Sequence, residues 1–332
     1  MHSHSLKTSV VAIATVVGLS FAAGAQADVT LSGFLNASSP SSFSIANLQN
    51  FGTSTSVTVG GDTYTGVSLY AYLNTYLAKD PNTPKNDILR DYVQASGSSG
   101  STVYALGNLL GSGFGTQNDI IAYSDNNGTL SAPMLIAPDG SSVSNLTSLS
   151  VGHVAYPGAG TGGASTSFSV GGTVSNPTTF GSADLPGALT PQVVYVNTPP
   201  LTGQGFTGVS LWSLLVSAGI SSDPATLDRS YIVATGTDNY QVVYSLEEIM
   251  PGYGNQNDLV AYENAAGGSL GTSGFARTVV PGDLKGGRYM SNLSGLTVVT
   301  LPAVVPVPGA AWMMLTGMVG IILNHTRRKL AA

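Results

Sequence analysis

The feature that most constrains this chain is an internal repeat. Residues 64–70 (YTGVSLY) return as residues 206–212 (FTGVSLW). Three further pairs of segments follow in the same order, namely 91–97 with 230–236, 114–123 with 253–262, and 144–146 with 291–293. Four ordered matches at nearly constant spacing predict a tandem duplication.

The repeat predicts two copies of one domain, at residues 28–151 and 167–300, joined by a flexible Gly-rich linker at 152–166. A chain of 332 residues is long enough for two such domains. Short β-branched runs between Gly-, Ser- and Asn-rich turns predict strands around residues 29–33, 57, 92, 120 and 149, and around 168–172, 193, 231, 259 and 296. Ser68 and Ser210 each precede an apolar run and are predicted to cap a helix. The predicted class is α+β, rich in β.

Residues 1–27 have the pattern of a secretory signal peptide. Lys7 precedes an apolar run at 10–23, and Ala25-Gln26-Ala27 provides small residues at the positions that signal peptidase reads. The pattern predicts cleavage after Ala27, so that the mature chain starts at Asp28. The alternative is an uncleaved anchor helix, but the run is short for a membrane span.

The last segment, 301–332, predicts a membrane tail. An apolar stretch at 310–323 precedes a basic cluster at 327–329, which is typical of a transmembrane helix with a cytoplasmic stop. A short motif comes first, formed by Val305, Pro306, Val307 and Pro308. This order resembles the PEP-CTERM class of sorting signals, with Val307 where Glu is usual. The resemblance implies an exosortase-type processing enzyme as partner, and the alternative is a plain C-terminal anchor.

These two ends predict an exported protein. It would lie on the periplasmic side of the membrane, or at the outer surface or outside the cell after processing. Between the ends, seven basic residues stand against 17 acidic ones, a net charge of −10. Such a surface repels phosphate backbones, so nucleic acid is excluded as a partner. The chain has no cysteine, which excludes disulfides, thiolate metal sites and cysteine nucleophiles.

The second copy resembles the molybdopterin-dependent oxidoreductase domain of the sulfite oxidase type. The similarity rests on residues 206–211, 231–236, 245–249, 257–262 and 279–283, and it is fainter in the first copy. It implies a sulfite oxidase-like mixed domain in which a pterin dithiolene and one cysteine thiolate hold molybdenum. With no cysteine, and with His153 as the only histidine between the two end segments, no catalytic residue or metal ligand is predicted.

The resemblance also implies a candidate anion site in the second copy. Its residues are Arg277, Lys285 and Arg288, near the backbone amides of Gly286 and Gly287, where the family holds the anionic end of its cofactor. The matching stretch of the first copy, 139–142, has no cation. The alternative is a solvated turn whose cations offset neighbouring acids such as Asp283.

Three functional hypotheses follow. The first is an exported, surface-directed binding or structural protein made of two non-catalytic domains, with no cofactor and a ligand that the sequence does not name. The second is a molybdopterin-binding oxidoreductase that lacks the cysteine ligand and uses the loop of Arg288. The third is a protein of the extracellular matrix, associated with polysaccharide.

Overall fold

The computed structural model describes residues 28–181 and 184–304. The predicted signal peptide at 1–27, the sorting motif at 305–308 and the predicted tail helix lie outside these residues. Within the described ranges short strands predominate over short helices, which confirms the β-rich α+β class. No helix in these ranges is long and apolar enough to cross a membrane.

The chain from its first described residue to His153 forms two sheets, and we call this part the first unit. Its strands and helices are β1 (Val29–Gly33), β2 (Ser42–Phe43), α1 (Ile45–Gln49), β3 (Thr55–Val59), β4 (Asp62–Ser68), α2 (Leu69–Asn74), β5 (Asp91–Gly97), β6 (Gly100–Ala105), β7 (Ile120–Asp125), β8 (Gly128–Ile136), β9 (Ser142–Val143) and β10 (Ser148–His153), with 3₁₀ turns at Asp87–Arg90 and Leu106–Asn108. One sheet has the order β2-β1-β10-β5-β6 and the other has the order β3-β4-β7-β8-β9.

The chain from Ser167 onward forms two more sheets and is called the second unit. Its elements are β11 (Ser167–Gly172), β12 (Thr178–Gly181), α3 (Leu185–Ala188), β13 (Gln192–Val196), β14 (Gln204–Ser210), α4 (Leu211–Ser217), α5 (Pro224–Leu227), β15 (Ser230–Gly236), β16 (Gln241–Ser245), α6 (Leu246–Ile249), β17 (Leu259–Asn264), β18 (Arg277–Val279) and β19 (Leu293–Thr300), with 3₁₀ turns at Gly271–Ser273 and Gly286–Arg288. The sheets have the orders β12-β11-β19-β15-β16 and β13-β14-β17-β18.

Both units pair their strands in the same pattern. In each, the first and last strands are parallel neighbours, β1 with β10 and β11 with β19. The last strand then pairs antiparallel with the strand that carries the repeated tyrosine, β5 or β15. Each strand position predicted from the sequence lies in or at the end of an observed strand, so those predictions are confirmed.

The repeated Thr-Gly dipeptide has a steric reason in both units. A Cβ on Gly66 would lie 2.2 Å from the carbonyl oxygen of Ile121, and a Cβ on Gly208 would lie 2.4 Å from that of Val260. Both glycines sit at a β-bulge, where β4 meets β7 and β14 meets β17. Only glycine permits this approach of two backbones, because any side chain would collide with the neighbouring strand.

The helices after β4 and β14 begin at the predicted caps. The hydroxyl of Ser68 accepts a hydrogen bond from the amide of Ala71, and that of Ser210 accepts one from the amide of Ser213. These bonds satisfy amides that have no partner within the helix. The apolar faces of α2 and α4 are buried, which fixes both helices against their sheets.

The two units pack through β5, β6, β15 and β16. The rings of Tyr92 and Tyr231 stack with centroids 4.3 Å apart. Beside them lies a small apolar core to which both units contribute, formed by Val103, Ala105, Tyr231, Val233 and Val243. The amide of Val103 also donates to the carbonyl of Asp228 at 2.7 Å.

The Gly-rich segment between the units lies against the turn between β15 and β16. The amides of Gly160 and Gly162 donate to the carbonyls of Asp238 and Thr237, both at 3.0 Å. A Cβ on Gly160 would lie 2.3 Å from the carbonyl oxygen of Thr237, so the close approach requires glycine there. The segment that the sequence predicted to be a flexible linker is therefore packed against the second unit.

Candidate functional site

The three cations of the predicted anion site do not converge. Arg288 is fully buried, and its guanidinium binds the carboxylates of Glu248 and Asp283, each at 2.8 Å. Its Nη2 also donates to the side chain of Asn108 at 3.0 Å. A guanidinium enclosed in this way cannot reach an external anion, which corrects the prediction for Arg288.

The other two cations lie in different surroundings. Arg277 is almost fully buried and places its guanidinium over the rings of Phe206 and Tyr289, with Nη1 donating to Ser273. Lys285 is exposed on the turn that leads to Arg288. Of the three residues, Lys285 alone keeps a charge that solvent can reach.

The buried carboxyl groups around Arg288 outnumber its single positive charge. Burial lowers the pKa of Arg288, but the charges of Glu248 and Asp283 outweigh this effect and raise it. Burial raises the pKa of Glu248 and of Asp258, although the charge of Arg288 opposes both increases. Neither carboxyl oxygen of Asp258 has a hydrogen-bond partner. Burial therefore favours the protonated form of both carboxyl groups.

A second acidic group lies in the first unit and receives one member from the second. Asp119 precedes β7 as Asp258 precedes β17, and its pKa is raised to about 8 by burial and by the charges of Asp139 and Glu248. Burial also raises the pKa of Glu247, with further contributions from Asp119 and Asp139. Glu247 belongs to α6 of the second unit, so the packing of the units creates this group.

This second group lacks the cation that the first one has. Among residues 28–181 and 184–304, no Lys, Arg or His lies within 4.0 Å of Asp119, Asp139 or Glu247 as an ion-pair partner. In the same part of the chain, no cluster of three metal-ligating side chains is placed to hold a metal ion.

A recess of about 350 Å³ opens where the two units meet beside Glu247. We call it the junction recess, and its polar lining includes Ser101, Ser141, Asp228, Arg229, Glu247 and Tyr253. Glu247 and Ser141 are 5% and 4% exposed, and the carboxyl of Glu247 lies beside the side chains of Ser141 and Asp139. A nearly buried carboxyl among other acids at the wall of a recess marks that recess as a candidate ligand site.

Arg229, the cation at the rim of the junction recess, is hydrogen-bonded to backbone carbonyls. Nε of Arg229 donates to the carbonyl of Ala225 at 2.8 Å, and Nη1 donates to the carbonyl of Leu301. These bonds tie α5 to the segment that follows β19. Tyr253, 41% exposed, presents an aromatic side chain at the same rim.

His153 takes part in a separate polar group at the end of β10. Its Nδ1 lies 2.6 Å from Oδ1 of Asp91, its Nε2 lies 3.5 Å from Oδ2 of Asp80, and its ring stacks on Phe34. Burial lowers the pKa of His153, but Asp91 and the other nearby carboxylates outweigh it and raise the pKa. Both ring nitrogens thus face carboxylates, and the closer contact, with Asp91, joins β10 to β5.

Sequence reasoning missed Glu247, Asp119 and Ser141. A signal was present, because Glu247 and Glu248 follow the cap Ser245 inside an otherwise apolar stretch, and acids seldom occupy such positions unless paired. The meeting of Glu247 with Asp119, however, depends on how the two units pack, which the repeat pattern does not specify.

The polar groups do not fit the molybdenum pterin that the sequence resemblance implied. The chain has no cysteine to bind the metal. The carboxyl groups of Glu248 and Asp283 enclose Arg288, and the lining of the open recess includes Asp228 and Glu247, whose charges would repel the phosphate of a pterin cofactor.

Comparison with known proteins adds little to these observations. No protein-family model matches the chain, and no curated protein matches it either. Among solved structures, the chain is similar to the crystal structure of the sulfane dehydrogenase SoxCD from Paracoccus pantotrophus, with 21% identity and a TM-score of 0.33. The match covers 42% of this chain and 39% of that one, and a likeness this slight carries no argument about function.

Proposed function

We propose that this chain is an exported, surface-directed binding protein whose ligand enters the junction recess. The observation that carries the proposal is the nearly buried carboxyl of Glu247, which has no ion-pair partner among the described residues, at a recess to which both units contribute. Concave recesses with an apolar lining and a few fixed hydrogen-bonding groups are the usual places for small ligands. The structural role that the sequence left open is compatible with this one, since the packed units form a scaffold.

We also propose that the two units arose by duplication. Three of the four repeated sequence segments fall on equivalent elements, β4 with β14, β5 with β15, and β7 with β17. The pairing of these strands is alike, including the bulge next to Gly66 and Gly208. Duplication followed by divergence would explain why one unit carries Arg288 and the other does not.

Export and membrane attachment are proposed from the sequence. The signal-peptide pattern of 1–27 supports cleavage before Asp28, and the tail pattern of 301–332 supports anchoring, with an exosortase-type enzyme as the processing partner. The described part of the chain ends at Val304, which lines the junction recess.

A labelled cysteine tests whether the junction recess binds ligands. The chain is free of cysteine, so Ala303→Cys can carry a solvatochromic fluorophore at the rim of the recess. Ala266→Cys, also exposed but at a different surface recess, is the matched control. We expect a spectral change only at position 303 when the protein meets its ligand class in a panel of neutral sugars, carboxylates and amines. Silence of both labels across the whole panel would overturn the proposal.

Elemental analysis tests the non-catalytic part of the proposal. The protein is produced in a host that makes the molybdenum cofactor, and molybdenum is measured in the purified chain. We expect none, because the chain has no thiolate ligand and Arg288 is enclosed. Molybdenum in a one-to-one ratio would overturn the binding role and restore the oxidoreductase.

A further inference from the structure

The two acidic groups are related by position, and they differ in one respect. Tyr104 and Asp119 of the first unit correspond to Tyr244 and Asp258 of the second in the repeat, and Asp139 lies one residue before the position of Asp283. The second unit adds Arg288, which binds Asp283 and Glu248 and lies over the ring of Tyr244. The first unit has Ser141 in the stretch that corresponds to the turn with Arg288, and it has no cation there.

The two units also differ at the residue through which each one contacts the polar group of the other. Glu247 and Gly107 occupy equivalent positions. The backbone carbonyl of the next residue, Glu248 or Asn108, accepts a hydrogen bond from the backbone amide of a repeated glutamine, Gln256 or Gln117. A Cβ on Gly107 would lie 3.4 Å from Cδ of Arg288. Position 107 thus lies beside the side chain of Arg288 in the second unit, and position 247 lies beside Asp119 and Asp139 of the first unit.

Glu247 is therefore a nearly buried carboxyl that faces like charges and no counter-ion. The acids around it are Asp119 and Asp139, with Asp228 across the recess. The one cation on the lining, Arg229, donates to two backbone carbonyls. A buried charge without a partner is costly, so either a proton or an external cation must neutralise Glu247.

We propose that the junction recess binds a small organic cation, whose guanidinium or ammonium group pairs with Glu247 and donates to Ser141. This inference rests on the proposed function and names the ligand class of the same site. Nitrogen donors suit this lining, since Glu247 and Ser141 both line the recess and carboxylate and hydroxyl oxygens accept hydrogen bonds. In the second unit, the guanidinium of Arg288 lies among residues of similar kinds, namely Tyr244, Glu248 and Asp283.

Other ligand classes fit the junction recess less well. An anion would meet the charges of Asp228 and Asp139 with no free cation to offset them. A divalent metal ion needs several oxygen ligands at short distances, and no such cluster occurs among the described residues. A neutral sugar could bond to the hydroxyls but would leave the carboxyl of Glu247 without a counter-charge.

Calorimetry with agmatine tests the inference on residues 28–304. Agmatine carries a guanidinium and an ammonium group. Glucose, acetate and calcium chloride are titrated as comparison ligands. We expect agmatine alone to bind, with net release of protons, because Glu247 must ionise to pair with it. Proton release is measured by repeating the titration in buffers that differ in ionisation enthalpy.

Two matched variants locate the binding. Glu247→Gln keeps the shape of the side chain and removes the charge, and we expect agmatine to bind more than about tenfold more weakly with proton release abolished. Glu263→Gln makes the same chemical change on β17, outside the recess lining, and should bind as the wild type does. Circular dichroism checks that both variants fold.

The possible failures separate the two proposals. If glucose or acetate binds and agmatine does not, the recess remains a binding site and the ligand class is wrong. If Glu247→Gln binds agmatine as tightly as Glu263→Gln does, the cation does not pair with Glu247 and the inference is overturned. If Glu247→Gln does not fold, binding of agmatine by the wild type without proton release overturns it equally.

Discussion

At the scale of single residues, Arg288 determines whether the acids of the second unit can be buried. Three carboxyl groups surround its guanidinium, and Glu248 and Asp283 bond to it directly. A buried ion pair adds little net stability compared with apolar residues, but loss of one partner leaves the other charge buried alone. The role of Arg288 is therefore structural, because its charge compensates the buried acids around it.

The first prediction follows for Arg288→Met. We expect the free energy of unfolding at pH 7 to fall by about 3–5 kcal/mol, because the carboxyl groups lose their counter-charge. The loss should be smaller near pH 4, where protonation neutralises those groups. Urea denaturation at both pH values measures it. Lys285→Met, on the exposed part of the same turn, should change stability by no more than about 0.5 kcal/mol. Equal effects of the two variants would contradict the structural role of Arg288.

A second residue-scale prediction concerns Asp119. Its pKa is about 8 in the folded protein, against an ordinary value of 3.8. Between these values the folded state holds a proton that the unfolded state has released, so this stabilising contribution is complete below pH 3.8 and is lost as the pH rises to 8. Each unit of difference corresponds to about 1.4 kcal/mol. Asp119→Asn, which cannot ionise, should gain stability relative to the wild type as the pH rises.

The comparison needs a surface acid as control. Asp62→Asn makes the same chemical change at a carboxyl that is exposed on β4, and it serves as the matched control. Thermal unfolding of the three proteins between pH 4 and pH 9 provides the data. A constant difference between Asp119→Asn and the wild type across that range would show that Asp119 ionises normally in the folded state.

At the scale of elements, the sequence predicts the strands well and the charged contacts poorly. The strands that carry repeated motifs, such as β5 and β15, follow from β-branched runs and turns, which are local properties. The caps Ser68 and Ser210 are equally local. The contact of Arg288 with Asn108 and the position of Glu247 beside Asp119 join segments more than a hundred residues apart, and no periodicity records that packing. The pairing of Arg288 with Asp283 is local, and the sequence had already offered Asp283 as an acid that these cations offset.

The repeated glycine in β4 and β14 leads to a prediction at this scale. Gly208→Ala should lower the free energy of unfolding by about 1–3 kcal/mol, because the added methyl group collides with the backbone of β17. Gly171→Ala is the matched control, since a Cβ there meets nothing within 4 Å and the residue lies in strand β11. Chemical denaturation compares the two. If the two variants are equally stable, the close approach of β14 to β17 is not a constraint on the fold.

At the scale of the whole molecule, the two units form one packed body. Besides the stacked tyrosines, Asn86 donates to the hydroxyl of Tyr240 and Arg90 donates to the side chain of Gln241, both at 2.8 Å. Each bond crosses from the first unit to the second. The junction recess exists only while the units remain packed, so stability of the interface and ligand binding are coupled.

The last prediction tests this coupling through Tyr231. The wild type, from Asp28 to Val304, should unfold in a single calorimetric transition, because the shared core and the crossing hydrogen bonds link the two units. Tyr231→Ala removes the ring that stacks on Tyr92 and should separate the unfolding into two transitions, with loss of agmatine binding before either unit melts. Tyr195→Ala deletes the same atoms from an exposed position on β13 and should leave one transition. Two transitions in the wild type would mean that the units unfold independently and that the shared core does not link their stabilities.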